Sequence, residues 1–168
     1  MASNETILIA VDESSASEKA VAYVGRFVSR CTQLRLCLLH VLPPVPPRLL
    51  EYGGVSTADE KLSQRSEVEK AKQAWIKEKE ENTQPKFDKL RRILEEADVP
   101  EDSVFTCCYA PHPGESAASG ILASQCGGDF KTIAVGRETF PWYFEMFHRH
   151  VGEDILRKGK DLAIWIVE

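Results

Sequence analysis

The chain has 168 residues, 43% of them apolar and 28% charged, with a formal net charge of -5. That length suits a single domain, residues 1–168, with a proper core, and the balance is that of a soluble globular protein. The acidic surplus excludes a sequence-independent grip on nucleic acid or on an anionic membrane, each of which needs a strongly basic face.

The start MASNETILIAVDES has no basic region, and its apolar run is cut short by Asp12, so no secretory leader is expected. No stretch approaches the length of a membrane span. Five cysteines are present, Cys31, Cys37, Cys107, Cys108 and Cys126, an odd number without a CxxC pair. Neither a disulfide framework nor a zinc site is expected, and thiols in a reducing cytoplasm are.

Thr6 to Val11 (TILIAV) reads as a first strand, rich in branched residues. The period then changes. Ser15 and Glu18 have capping-box spacing, and Ala20, Val21, Val24, Phe27 and Val28 form a helical stripe. Leu34 to Val41 (LRLCLLHV) is a second strand, apolar enough for a sheet covered on both faces. Pro43, Pro44, Pro46 and Pro47 end it, and a loop is expected as far as Ala58.

Residues 59 to 82 carry dense mixed charge with a thin stripe of Leu62, Val68, Ala71, Ala74 and Trp75, which predicts a surface helix. Pro85 is expected to break or kink it, and Phe87, Leu90, Leu94 and Ala97 resume a helical face. Ser103 to Tyr109 is a third strand. A helix through Ala117, Ile121 and Leu122 is expected to end near Gly127 and Gly128. Lys131 to Val135 is a fourth strand, Val151 to Lys158 a last helix stopped at Gly159, and Leu162 to Val167 a fifth strand. This alternation implies right-handed crossovers and an α/β, doubly wound three-layer sandwich.

In such a sheet, ligands sit at the carboxyl edge. Asp12 ends the first strand there. Its carboxylate suits a ribose hydroxyl or an adenine amine, or it caps the next helix. Val41 ends the second strand, where its backbone can read an adenine edge. Gly136 ends the fourth, but one glycine without GxGxxG or GxxxxGK[ST] makes no phosphate loop, and a tight turn explains it equally. His148 and His150 are two apart and no metal set completes them; His40 fits a satisfied core position. No GxSxG elbow or triad appears, so no enzyme is expected.

ILIAVDESSASEKAV, LCLLHV and DFKTIAVG, with a short helix leading into LAIWIVE, together resemble the universal stress protein family across essentially the whole chain. The resemblance implies a five-stranded parallel sheet in the order 3-2-1-4-5, and frequent dimerisation. One branch of the family binds ATP and another does not. In the ATP-binding branch, the position of Asp12 contacts the nucleoside, that of Val41 contacts adenine, and a loop of Gly, two residues, Gly, nine residues, Gly and Ser or Thr holds the phosphates. Here Gly136 matches the first glycine, while Thr139, Arg149 and His150 stand at the other three positions.

That departure removes the close backbone approach phosphates need. Arg137, Arg149 and His150 remain as donors for an irregular anion site. Phe140, Trp142, Tyr143, Phe144, Met146 and Phe147 are expected to shield the crevice between the first and fourth strands. The resemblance therefore implies a cytoplasmic stress-response or regulatory protein of the non-ATP-binding kind, without a cofactor, acting on an unidentified protein partner. The alternative is a divergent member that binds ATP with Mg and hydrolyses it slowly. The implied strand order leaves Leu162 to Val167 at an edge, which favours a homodimer paired through that strand.

Overall fold

The computed structural model describes residues 5–31, 33–51, 58–124, 130–137 and 151–168. Strand β1 (Glu5–Val11) leads into helix α1 (Ser15–Val28), followed by β2 (Leu34–Val41) and the long helix α2 (Ala58–Glu96). Then come β3 (Val104–Tyr109), α3 (Ala117–Ala123), β4 (Phe130–Gly136), α4 (Val151–Lys158) and β5 (Ala163–Val167). Short 3-10 turns at Pro47–Leu49 and Glu101–Ser103 lie before α2 and β3.

The five strands form one parallel sheet in the order β3-β2-β1-β4-β5. Side chains alternate between its faces. Ile7, Ile9, Val11, Leu36 and Leu38 pack under α1 and α2, against Val21, Val24, Phe87, Leu90 and Leu94. Leu8, Cys37, Leu39, Ile133 and Val135 pack under α3 and α4, against Ala118, Ile121 and Ile155. Helices thus cover both faces, and the expected three-layer sandwich is the observed one. No described helix is long and apolar enough to cross a membrane.

Several boundaries differ from the expectation. Helix α1 is capped by Ser14, whose hydroxyl accepts from the Ser17 backbone N–H at 3.2 Å. The box of Ser15 and Glu18 is not formed, and Glu18 reaches Lys89 of α2 instead, at 2.5 Å. Pro85 does not break α2, which runs through it. Two residues before it, the Thr83 hydroxyl donates to the Lys79 carbonyl at 2.8 Å. Phe87, Leu90 and Leu94, almost fully buried, hold the next turns on the core.

Helix α3 stops at Ala123, short of the glycines expected to end it. The Ser124 backbone N–H and hydroxyl both bond back into the last turn and close it there. β5 begins at Ala163; Leu162 instead packs in the cluster under α3 and α4. Helix α2 ends with Asp98 in the left-handed region (φ 60), its successor Val99 donating back to the Leu94 carbonyl at 3.0 Å. Cys31, Cys37 and Cys108 carry free thiols, and burial pushes that of Cys37 up to about 12. Cys107, against expectation, is disulfide-bonded. An odd count without local spacing says nothing about pairing between cysteines far apart in the chain.

Candidate functional site

The carboxyl ends of β1, β2 and β4 open on a cavity of about 150 Å³, which is the crevice where the order of a doubly wound sheet reverses. Asp12, Ser17, His40, Val41, Ile121 and Gly136 are among its walls. Three of the seven residues expected at a ligand site, Asp12, Val41 and Gly136, therefore meet in one place.

Asp12 follows directly on β1, and the start of α1 folds back over it. Its Oδ1 accepts from the Ser14 backbone N–H at 2.9 Å, the Ser14 hydroxyl at 2.5 Å and the Ser17 hydroxyl at 2.7 Å. The Ser17 hydroxyl in turn accepts from the Asp12 N–H at 2.9 Å. Burial raises the carboxyl pKa, but the hydrogen bonds from Ser14 and Ser17, with the charge of Lys86, outweigh it and hold the group below its ordinary 3.8. Asp12 is thus ionised, fixed in direction and still exposed. All three of these bonds fall on one of its oxygens.

Val41 is half-buried opposite Tyr109 of β3, and the next N–H, of Leu42, donates to the Tyr109 carbonyl at 2.8 Å. Gly136 has a packing reason for its identity. A Cβ there would lie 2.2 Å from the Ala16 carbonyl oxygen and 2.8 Å from the Ser17 nitrogen. The first turn of α1 already fills the space a side chain would need. Arg137 turns away toward β5. Its N–H donates to the Val167 carbonyl at 2.7 Å and its Nη1 lies 3.3 Å from Glu168, while its buried Nε has no partner among the described residues. Thr139, Arg149, His150 and the segment from Phe140 to Phe147 lie outside the described residues.

Two functional groups escaped the sequence reading. His40 lies in the cavity wall, half-buried, with Nδ1 donating to the Val11 carbonyl at 2.9 Å. Burial lowers its pKa and the neighbouring Lys86 lowers it further; the Val11 carbonyl, Glu13 and Asp12 act the other way without reversing the sign. Lys86, from α2, brings its ammonium to 3.4 Å from both imidazole nitrogens and 3.4 Å from Glu13. The alternation of Leu36, Leu38 and His40 places the histidine on the α2 face and was available as a signal. No local pattern joins it to a lysine 46 positions away. Among the described residues, no group of three or more His, Cys, Asp or Glu is placed to hold a metal ion.

Solved structures share this architecture at low sequence identity. The universal stress protein from Archaeoglobus fulgidus in complex with dAMP is 16% identical, with a TM-score of 0.52 over 98% of each chain. A universal stress protein in complex with cAMP is 13% identical, with a TM-score of 0.53 over 99% of this chain and 98% of its own. The universal stress protein UspA from Lactobacillus plantarum is 12% identical, with a TM-score of 0.56 over 100% of both. No curated protein matches the chain significantly. The sequence profile of the universal stress protein family matches residues 3–105, more than half of the 168. The chain belongs to the universal stress protein family.

Proposed function

We propose that this protein binds an adenine nucleotide, held by its nucleoside end in the crevice between β1, β2 and β4. The observation that carries the reading is the meeting of Asp12 and Val41 at one cavity. Asp12 offers an ionised, pre-oriented acceptor for a ribose hydroxyl or an exocyclic amine, with one oxygen bound by Ser14 and Ser17 and the other turned to neither. Val11, Leu39, Val41 and Ile121 supply apolar walls for a base. The structures of relatives with dAMP and cAMP support the class of ligand. Proposed here is binding in a cytoplasmic setting, with ATP and Mg as the fullest form of the ligand.

A second reading, a regulatory protein acting through a partner without nucleotide, has its own support. Gly136 is the one glycine kept from the phosphate-loop pattern, and packing against Ala16 accounts for it. A homodimer paired through β5 fits either reading. Among the described residues β5 pairs with β4 alone, and Trp165 on it is flanked by half-exposed Tyr23 and Phe27.

Release of bound nucleotide decides between the two. The purified protein is denatured and the supernatant analysed by mass spectrometry, then refolded protein is titrated with adenosine, AMP and Mg-ATP by calorimetry. One adenine-containing ligand per chain is expected, weakened about tenfold or more by Asp12→Ala. No heat of binding for any of the three ligands would leave the partner-only reading standing.

A further inference from the structure

We infer that the outer face of α1, together with Trp165 of β5, is a docking surface for an acidic, apolar segment of a partner protein. None of the residues that form it lines the crevice, so the inference does not depend on the nucleotide reading.

Helix α1 buries Ala20, Val21, Val24 and Val28 on the core and turns Lys19, Tyr23, Arg26 and Phe27 to solvent, with exposed Arg30 just past its end. Those positions recur at helical spacing and share one stripe. Among the described residues four large apolar side chains are exposed, and two of them, Tyr23 and Phe27 at 51% each, stand one turn apart on this stripe. Both rings meet Trp165 edge to face, with centroids 6.4 Å away for Tyr23 and 5.1 Å for Phe27. A single exposed aromatic side chain is ordinary; three joined in one patch are not. Beside them, Tyr23 and Trp165 wall a hollow of about 440 Å³ that reaches Glu168.

The charge around the patch names the occupant. The chain as a whole carries a net charge of -5, yet Lys19, Arg26 and Arg30 gather on this stripe, and none of them forms an ion pair among the described residues. Arg26 commits only its Nε, to the Ala22 carbonyl at 3.2 Å. Glu168, the carboxylate at the hollow, is already held by Arg137 at 3.3 Å. Aromatic rings rimmed by unpaired cations fit a segment that alternates apolar and acidic side chains. The rings take its apolar groups out of water, and the cations meet its carboxylates at the rim. A second copy laid on this face around a two-fold axis would set the same cations against each other. Edge-to-edge pairing through β5 extends the sheet sideways through backbone groups and does not use the outer face of α1. Single-stranded nucleic acid stacks its bases on open ring faces, whereas Tyr23 and Phe27 stand at 84° and 85° to the Trp165 ring and offer no parallel stack.

The test is NMR titration of the isotope-labelled full chain with three probes. They are a short synthetic peptide of Glu-Phe-Asp-Leu repeats, the same peptide with lysine for each acid, and single-stranded oligothymidylate. The acidic peptide is expected to shift the amide signals from Lys19 to Arg30 and the Trp165 indole signal, and the other two to leave them in place. Charge reversal by Lys19→Glu with Arg26→Glu is expected to weaken the acidic peptide about tenfold, and more at low salt than at high. Tyr23→Ala with Phe27→Ala is expected to remove the shifts while the circular dichroism spectrum stays the same. The assignment is overturned if the basic peptide or the oligothymidylate binds this face as tightly. It is equally overturned if the shifts fall elsewhere, if charge reversal leaves the affinity unchanged, or if no shift appears at about millimolar peptide. Loss of a dimer on sedimentation of the Tyr23→Ala, Phe27→Ala variant would give the face to a second copy and overturn it too.

Discussion

Gly136 and Ala16 stand so close that the last residue of β4 and the first turn of α1 share one volume: a Cβ on the glycine would come within 2.2 Å of the alanine carbonyl oxygen. The obstacle is backbone, which cannot swing aside as the tip of a side chain does. Gly136→Ala is therefore expected to cost about 1–3 kcal/mol of stability, as overpacking of a tight site does, or more if α1 cannot shift. Urea denaturation followed by circular dichroism reads the change. An unaltered midpoint would mean that α1 is free to move and that the glycine is kept for another reason.

The neutral state of His40 sets a pH dependence. Its folded pKa lies below the ordinary 6.5, chiefly through burial. A base whose folded pKa is lowered binds its proton more readily in the unfolded chain. Its contribution to stability is then complete above 6.5 and is lost as pH falls from there toward the folded pKa. The unmodified protein should lose stability relative to His40→Gln when urea midpoints are compared between pH 7.5 and pH 5. NMR titration of the ring proton, with an inflection above 6.5, would contradict the sign.

The assembly of the protein is tested at β5. The Val167 carbonyl accepts from Arg137, so that residue faces the β4 side. Neighbouring residues on a strand turn their polar groups to opposite sides, which directs Ile164 and Ile166 to the free edge. Ile164→Pro removes a donor from that edge and spares the pairing with β4. Sedimentation at micromolar concentration is expected to show a dimer for the unmodified chain and a monomer for the variant, with the same circular dichroism spectrum. A monomer before substitution would dispose of the dimer.

At the end of α2, Asp98 occupies the left-handed region with φ 60 while Val99 closes the turn on Leu94. Glycine adopts that conformation without the steric cost of a Cβ. Asp98→Gly is expected to stabilise the fold by about 0.5–1 kcal/mol, the unfolded chain's added freedom offsetting part of the relief. Thermal denaturation checks it, and a lowered midpoint would show that the Asp98 side chain matters more than its backbone.

What the sequence could show followed the range of each signal. Apolar runs such as ILIAV and LRLCLLHV marked the strands because covered parallel strands have to be apolar throughout. The sheet order was not in those runs; it came with the resemblance, and pairing of β1 with β4 across more than a hundred residues has no local signature. Local rules misled where tertiary contacts overrode them. Pro85 is a helix breaker in isolation, yet burial of Phe87, Leu90 and Leu94 keeps the helix going. At the site, Asp12 was legible from its place after a strand, and it both accepts from the start of α1 and lines the cavity. Lys86 stands between Pro85 and Phe87, just past the charged stretch, and no local pattern marks it as the lysine that reaches His40.

Pro85 leaves a lasting mark on α2 even though the helix survives it. Without an N–H it cannot bond the carbonyl of Glu81, so the 39-residue helix has a missing rung part-way along. Beyond that rung, Phe87, Leu90 and Leu94 are locked into the core beneath; before it, from Leu62 to Asn82, no described side chain is fully buried. The two lengths are therefore expected to open as separate units, with amide protons after Pro85 exchanging with the sheet through global unfolding and those before it through a smaller and more frequent opening. On that expectation the proline acts as a fuse, stopping fraying from the charged end before it reaches the turns held by Phe87 and Leu90.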